Sequence, residues 1–141
     1  MYNVILLKMT DCHYCDKFFP IYKRAEELNK NEDIIFENYD MMEGGTEEMV
    51  RSKYPEIITQ DIKGYPTVLI RTDDKLKEVN TVFDKDIEEG AKNFLDNITS
   101  MIQSSNEDYK EKYQKIYKKY LKCRDKYKKY KKKYINGKNK K

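Results

Sequence analysis

The sequence predicts an α/β domain, a three-layer α/β/α sandwich around a mixed four-stranded sheet, followed by a C-terminal basic helix of coiled-coil character. Three observations carry that prediction. Apolar runs of strand length alternate with stretches of helical period in the order strand, helix, strand, helix, strand, strand, helix. The 141 residues fit one domain of ordinary size and an appendage, without room for a second enzyme domain. The net charge of +4 hides a division: residues 1–106 carry 13 Lys and Arg against 21 Asp and Glu, a net −8, whereas residues 107–141 carry 16 against 4, a net +12.

Val4-Ile-Leu-Leu7 is a continuous apolar run that suits a strand buried on both faces. It has neither the basic flank nor the small-residue cleavage site of a signal peptide, so none is expected. Thr10-Asp11 ends the strand and Cys12 opens a helix over 13–29, in which Phe18, Phe19, Tyr22, Ala25 and Leu28 form the core face. Asn29, Asn31 and Asp33 mark a turn. Ile34-Ile-Phe36 with Tyr39 gives a second strand, parallel to the first in a right-handed βαβ unit, and Asp40 reads as its solvated end. Gly44-Gly45 leads to Thr46 as N-cap of a helix over 46–53, limited by Pro55. Residues 56–63 show no clear period. Thr67-Val-Leu-Ile-Arg71 is a β-branched strand, and Asp73-Asp74-Lys75 turns it into a partner near 77–83. Asp84 or Asp86 caps a last domain helix to about Met101, its apolar face Ala91, Phe94, Leu95, Ile98 and Ile102. The predicted organisation is a domain over 1–102, a linker over 103–106, a basic tyrosine-rich helix over 107–135 and a disordered tail over 136–141.

Chemistry is concentrated at Cys12-His13-Tyr14-Cys15. Two cysteines one helical turn apart bring their thiols together, and the amides and dipole of a helix start favour thiolate on the first. Cys12 is then the attacking nucleophile and Cys15 the residue that resolves the mixed disulfide. His13, when protonated, adds to the stabilisation of the Cys12 thiolate. A zinc half-site is the competing reading, but zinc takes four ligands and only His13 and the remote Cys123 can add to the pair, so no metal and no cofactor are expected. With three cysteines and no export signal, a framework of structural disulfides is not expected either. No run approaches the roughly 20 apolar residues of a spanning helix, which excludes membrane insertion through one.

The stretches Cys12-His-Tyr-Cys-Asp-Lys-Phe-Phe-Pro20-Ile-Tyr22, Asp40 at a strand end, and Gly64-Tyr-Pro-Thr67 resemble the thioredoxin-like superfamily, in particular its thioredoxin and protein disulfide isomerase branch, with a glutaredoxin-like short N-terminus. The resemblance covers about residues 3–102. It implies that Pro20 kinks the first helix and that Pro66 is cis beside the cysteines, where Tyr65, Pro66 and Thr67 bind an extended substrate. Asp11 stands where the family's tryptophan precedes the first cysteine, Leu6 stands for its buried acid, and no Gly-Gly follows the third strand as in glutaredoxins. Proton transfer at Cys15 therefore falls to another group or water, and dependence on glutathione does not follow.

In the tail, Tyr109, Tyr113, Ile116, Tyr120, Cys123, Tyr127, Tyr130 and Tyr134 repeat at alternating spacings of four and three, a heptad seam. Lys112, Lys119, Arg124, Lys126, Lys131 and Lys133 flank it, so a parallel homodimer sets like charges against each other. The tail reads as a binder of a polyanion such as nucleic acid, as a partner for an acidic protein or for the −8 domain of its own chain, or as a charged solubilising segment. The function expected from the whole is thiol-disulfide exchange on protein thiols, localised by the basic helix. The alternative is a structural or packaging protein whose domain carries a polyanion-binding coil. The abundance of Lys, Asn, Ile and Tyr fits an AT-rich genome such as that of a large DNA virus or a protist, and the expected location is the cytoplasm, or the virion for a viral chain.

Overall fold

The computed structural model describes residues 1–73 and 75–139, with side chains through Lys132. Its elements are β1 (Tyr2–Lys8), α1 (His13–Leu28), β2 (Ile34–Asp40), α2 (Thr46–Lys53), a 3₁₀ segment (Pro55–Thr59), β3 (Thr67–Thr72), β4 (Lys75–Val79) and α3 (Ile87–Asn139). The sheet runs in the order β2-β1-β3-β4. β1 pairs parallel with β2, Tyr2 opposite Ile34 and Lys8 opposite Asp40, and antiparallel with β3, Leu6 opposite Val68.

The apolar run of β1 is buried throughout, and its alternation sorts two cores. Val4 and Leu6 join Phe18, Ile21, Tyr22 and Ala25 of α1 and Ala91, Phe94 and Ile98 of α3. Ile5 and Leu7 join Val50, Tyr54 and Ile57 on the opposite face. Successive strand side chains point to opposite faces, so a central strand covered on both sides must be apolar at every position. That arrangement is the three-layer sandwich. Phe18 meets Phe94 edge-on at 5.1 Å, and Tyr22 meets Phe36 at 5.5 Å. Burying each such ring contributes about 1.5–3 kcal/mol. The buried Tyr22 hydroxyl lies within hydrogen-bond reach of the carbonyls of Val4 and Glu37 and shares its one proton between them, which ties α1 to both parallel strands.

Several local features differ from the sequence expectations. The N-cap of α2 is Gly45 at φ 83°, not Thr46, which is the first helical residue and is buried. A left-handed conformation is what glycine supplies without steric cost. The unpatterned stretch after Pro55 begins as the 3₁₀ segment, with Ile57 in the core. β4 starts at Lys75, because Thr72 pairs with Lys75 and closes the hairpin over two residues. Val82 and Phe83 consequently lie in the connection to α3 and not in the strand; Asp74 lies outside the described residues. Of the two candidate caps, Asp86 serves α3, its Oδ1 accepting from the N–H of Glu88 at 3.0 Å and of Glu89 at 3.3 Å.

The chain divides into two compact units, the first Met1–Ile102 and the second starting at Gln103. Residues 103–106, expected as a linker, are helical. Gln-Ser-Ser-Asn holds neither Pro nor Gly, and its propensity cost is only a few tenths of a kcal/mol per residue, too small to stop a helix already under way. The second unit is helical through Asn139; the last two residues of the tail expected over 136–141, and the side chains from residue 133 on, lie outside the described residues.

Candidate active site

Cys12 sits at the N-cap of α1 with extended backbone, φ −103° and ψ 112°. The preceding loop is shaped by Asp11, whose φ of 58° is unusual for a residue with a side chain. Thr10 donates from its hydroxyl to Asp40 at the end of β2, and the Met42 N–H donates to the same carboxylate at 3.0 Å. These bonds hold the Asp40 carboxyl below its ordinary pKa, with the Thr10 hydroxyl the largest cause and the Met42 amide the next. A strand-end carboxylate thus anchors the loop two residues before Cys12.

Cys12 and Cys15 are joined as a disulfide, their Cα atoms 5.1 Å apart. The two sulfurs differ in access: Cys12 is partly exposed, while Cys15 is 2% exposed. The Cys15 N–H donates to Cys12 Sγ at 3.3 Å, one of the orphan donors of the first helical turn. Such a donor stabilises negative charge on that sulfur once the disulfide opens. Asp16, in the same turn, leaves its carbonyl without the usual amide partner because Pro20 four residues on has no N–H.

The Tyr65–Pro66 peptide is cis. It sets the Tyr65 carbonyl oxygen 3.7 Å from Cys12 Sγ. Thr67 begins β3 buried opposite Leu7, its hydroxyl donating to the Gly64 carbonyl and holding the turn in shape. A cavity of about 540 Å³ is lined by Lys63, Tyr65, Pro66, Thr67 and Glu78 among others. His13, the expected tuner of the thiolate, is exposed, and its ring lies 5.7 Å from that of Tyr14. Leu6, at the family's acid position, belongs to the apolar cluster with Phe18. No group of three or more His, Cys, Asp or Glu comes together as a metal site among the described residues.

One pair of site-adjacent residues is not visible in the sequence pattern. Tyr14, 61% exposed, meets the 48% exposed Phe83 edge-on at 5.8 Å. Phe83 also rests on buried Phe18, and with Lys17, Asp84, Lys85 and Ile87 it lines a second cavity of about 400 Å³. The signal that would have found it is the two-residue hairpin, which frees Phe83 from β4.

No family model and no curated protein sequence matches the chain. Among solved structures, human ERp44 aligns at a TM-score of 0.51 with 16% identity, over 70% of this chain and 27% of that one. The thioredoxin of Malassezia sympodialis, Mala s 13, aligns at 0.44 with 16% identity over 68% and 74% of the two chains. The first thioredoxin domain of mouse protein disulfide-isomerase A4 aligns at 0.42 with 21% identity over 62% and 56%. The chain thus spans about a quarter of the ERp44 chain it resembles. With its mixed four-stranded sheet between helices and its Cys12–Cys15 disulfide at the start of α1, the chain has a thioredoxin-like fold.

Proposed function

We propose that the protein is a thiol-disulfide oxidoreductase acting on protein thiols and disulfides through Cys12 and Cys15. The observation that carries the reading is the asymmetry of the pair: Cys12 is open to a partner and holds an amide donor, while Cys15 is buried behind it. In the oxidising direction a substrate thiolate attacks Cys12 Sγ, the Cys12–Cys15 bond breaks, and Cys15 leaves as thiolate and takes up a proton. A second substrate thiolate then attacks the substrate sulfur of the mixed disulfide and expels Cys12 as thiolate. The substrate loses two electrons to form its disulfide, and the cysteine pair gains them as a dithiol. The reducing direction is the reverse, with Cys12 as nucleophile. Tyr65, Pro66 and Thr67 are the backbone wall along which an extended substrate lies, and the basic second unit localises the enzyme.

Cys12→Ser is expected to abolish turnover in an insulin-reduction assay, whereas Cys15→Ser accumulates mixed disulfides visible on non-reducing gels, since attack persists without resolution. Wild-type turnover by Cys12→Ser would end the redox reading. It would favour instead a carrier role for the domain, with packaging as the chain's task.

A further inference from the structure

The second unit presents an exposed apolar seam. Tyr109, Tyr113, Ile116, Tyr120, Tyr127 and Tyr130 are each 60–72% exposed, and Cys123 on the same line is exposed and unbridged. Taking Tyr113, Tyr120 and Tyr127 as a positions and Tyr109, Ile116, Cys123 and Tyr130 as d positions, the e and g positions carry Lys110, Lys112, Lys119, Arg124, Lys126 and Lys131, with Tyr117 the one exception. The acids of this unit, Glu107, Asp108, Glu111 and Asp125, all fall at b, c or f, away from the seam. We propose that this seam docks one kind of partner: an amphipathic helix of another protein, with small or medium aliphatic residues at its a and d positions and Asp or Glu at its e and g positions.

Charge decides against a second copy, because the g-to-e′ contacts of a parallel pair would set Lys119 against Arg124′ and Lys126 against Lys131′. Period decides between a helix and a nucleic acid. Phosphate contact needs cations but no apolar repeat, whereas a strict 3.5-residue repeat winds by about 20° per heptad around a straight α-helix, a path that a supercoiling helix follows. Tyrosine at a and d gives an acidic flank a second use. The rings pack on the partner's aliphatic side chains while the hydroxyls lie at the rim, where they donate to its carboxylates.

The proposal is independent of the redox chemistry, so Cys12→Ser should bind the partner as the wild type does. The test takes the full chain under reducing conditions, which keeps Cys123 from cross-linking. The probe is a labelled four-heptad peptide with Leu and Ala at a and d and Glu at e and g. At about 0.15 M salt, where exposed charges are already screened beyond roughly 8 Å, it should bind at least tenfold more tightly than a scrambled peptide of equal charge, with a gain of helix by circular dichroism. Tyr113→Ser with Tyr120→Ser should remove that preference and leave insulin reduction unchanged. Lys119→Glu with Lys126→Glu should transfer the preference to a peptide with Lys at e and g, which a merely unfolded variant would not do. Equal binding of the scrambled peptide, tighter binding of a DNA duplex, a dimer of the full chain by sedimentation at low salt, or no transfer in the charge-swapped variant would each overturn the proposal.

Discussion

Asp40 joins two segments that sequence distance separates. Lys8 lies opposite Asp40 in the parallel pairing, so the end of β2 comes beside the loop that leaves β1 for Cys12. There the carboxylate accepts from Thr10 and from the Met42 amide, and these bonds favour its charged form. Since the folded-state pKa is depressed, the contribution is present above the unfolded value of about 3.9 and is lost as pH falls through the folded one. Asp40→Asn keeps an acceptor but has no charge to lose. The wild type should therefore lose more of its urea midpoint between pH 5 and pH 2.5 than Asp40→Asn does, and equal acid sensitivity would show that the anchor does not depend on ionisation. Sequence alone read Asp40 as a solvated strand end, because no local period links it to Thr10. Cys12 and Cys15 were legible for the opposite reason: one helical turn suffices to bring them together. Tyr14 and Phe83 required the hairpin register before they could be seen as neighbours.

Where α3 begins, it comes close against α1. A Cβ at Gly90 would stand 3.0 Å from Ile21 Cδ1 and 3.1 Å from Asp84 Cβ, and Ile21 is itself buried in the core. Alanine would gain about 1 kcal/mol of helix propensity over glycine, but here that gain is opposed by contacts with little room to yield. Valine adds two methyls and a restricted χ1. Gly90→Val is expected to lower stability by about 1–3 kcal/mol, the range for overpacking a close-packed core, read as a fall in urea midpoint at unchanged slope. A Val variant as stable as the wild type would mean that the helices separate freely at this point. The strand and helix types were legible because β1 buries a continuous apolar run while α1 and the first turns of α3 each bury a face of helical period. The starts of α2 and β4 were not. A left-handed Gly45 and a two-residue turn are set by backbone geometry, and either Thr46 as cap or a longer loop fits the same letters.

At the scale of the molecule, both cores close before the second unit begins. The α1–α3 cluster draws its last residue from Ile102, and the opposite cluster ends at Leu76. The first unit, Met1–Ile102, holds Cys12, Cys15, the cis Tyr65–Pro66 peptide and the cavities lined by Tyr65–Thr67 and by Phe83. Its net charge is negative and that of the remainder strongly positive, so loss of the second unit should change how the protein meets charged partners more than how it folds. A chain ending at Asn106 should unfold in one cooperative transition, with a midpoint within a few degrees of the full chain's first transition. It should also reduce a small disulfide such as a dithiobis-nitrobenzoate at a rate within about twofold of the full chain, since chemistry at Cys12 needs no residue beyond Ile102. Rates on a protein substrate are the sensitive comparison. If these fall while the small disulfide is unaffected, the second unit recruits substrate; if both fall together with the unfolding midpoint, the helix beyond Ile102 supports the fold, and the division into two units has no energetic counterpart.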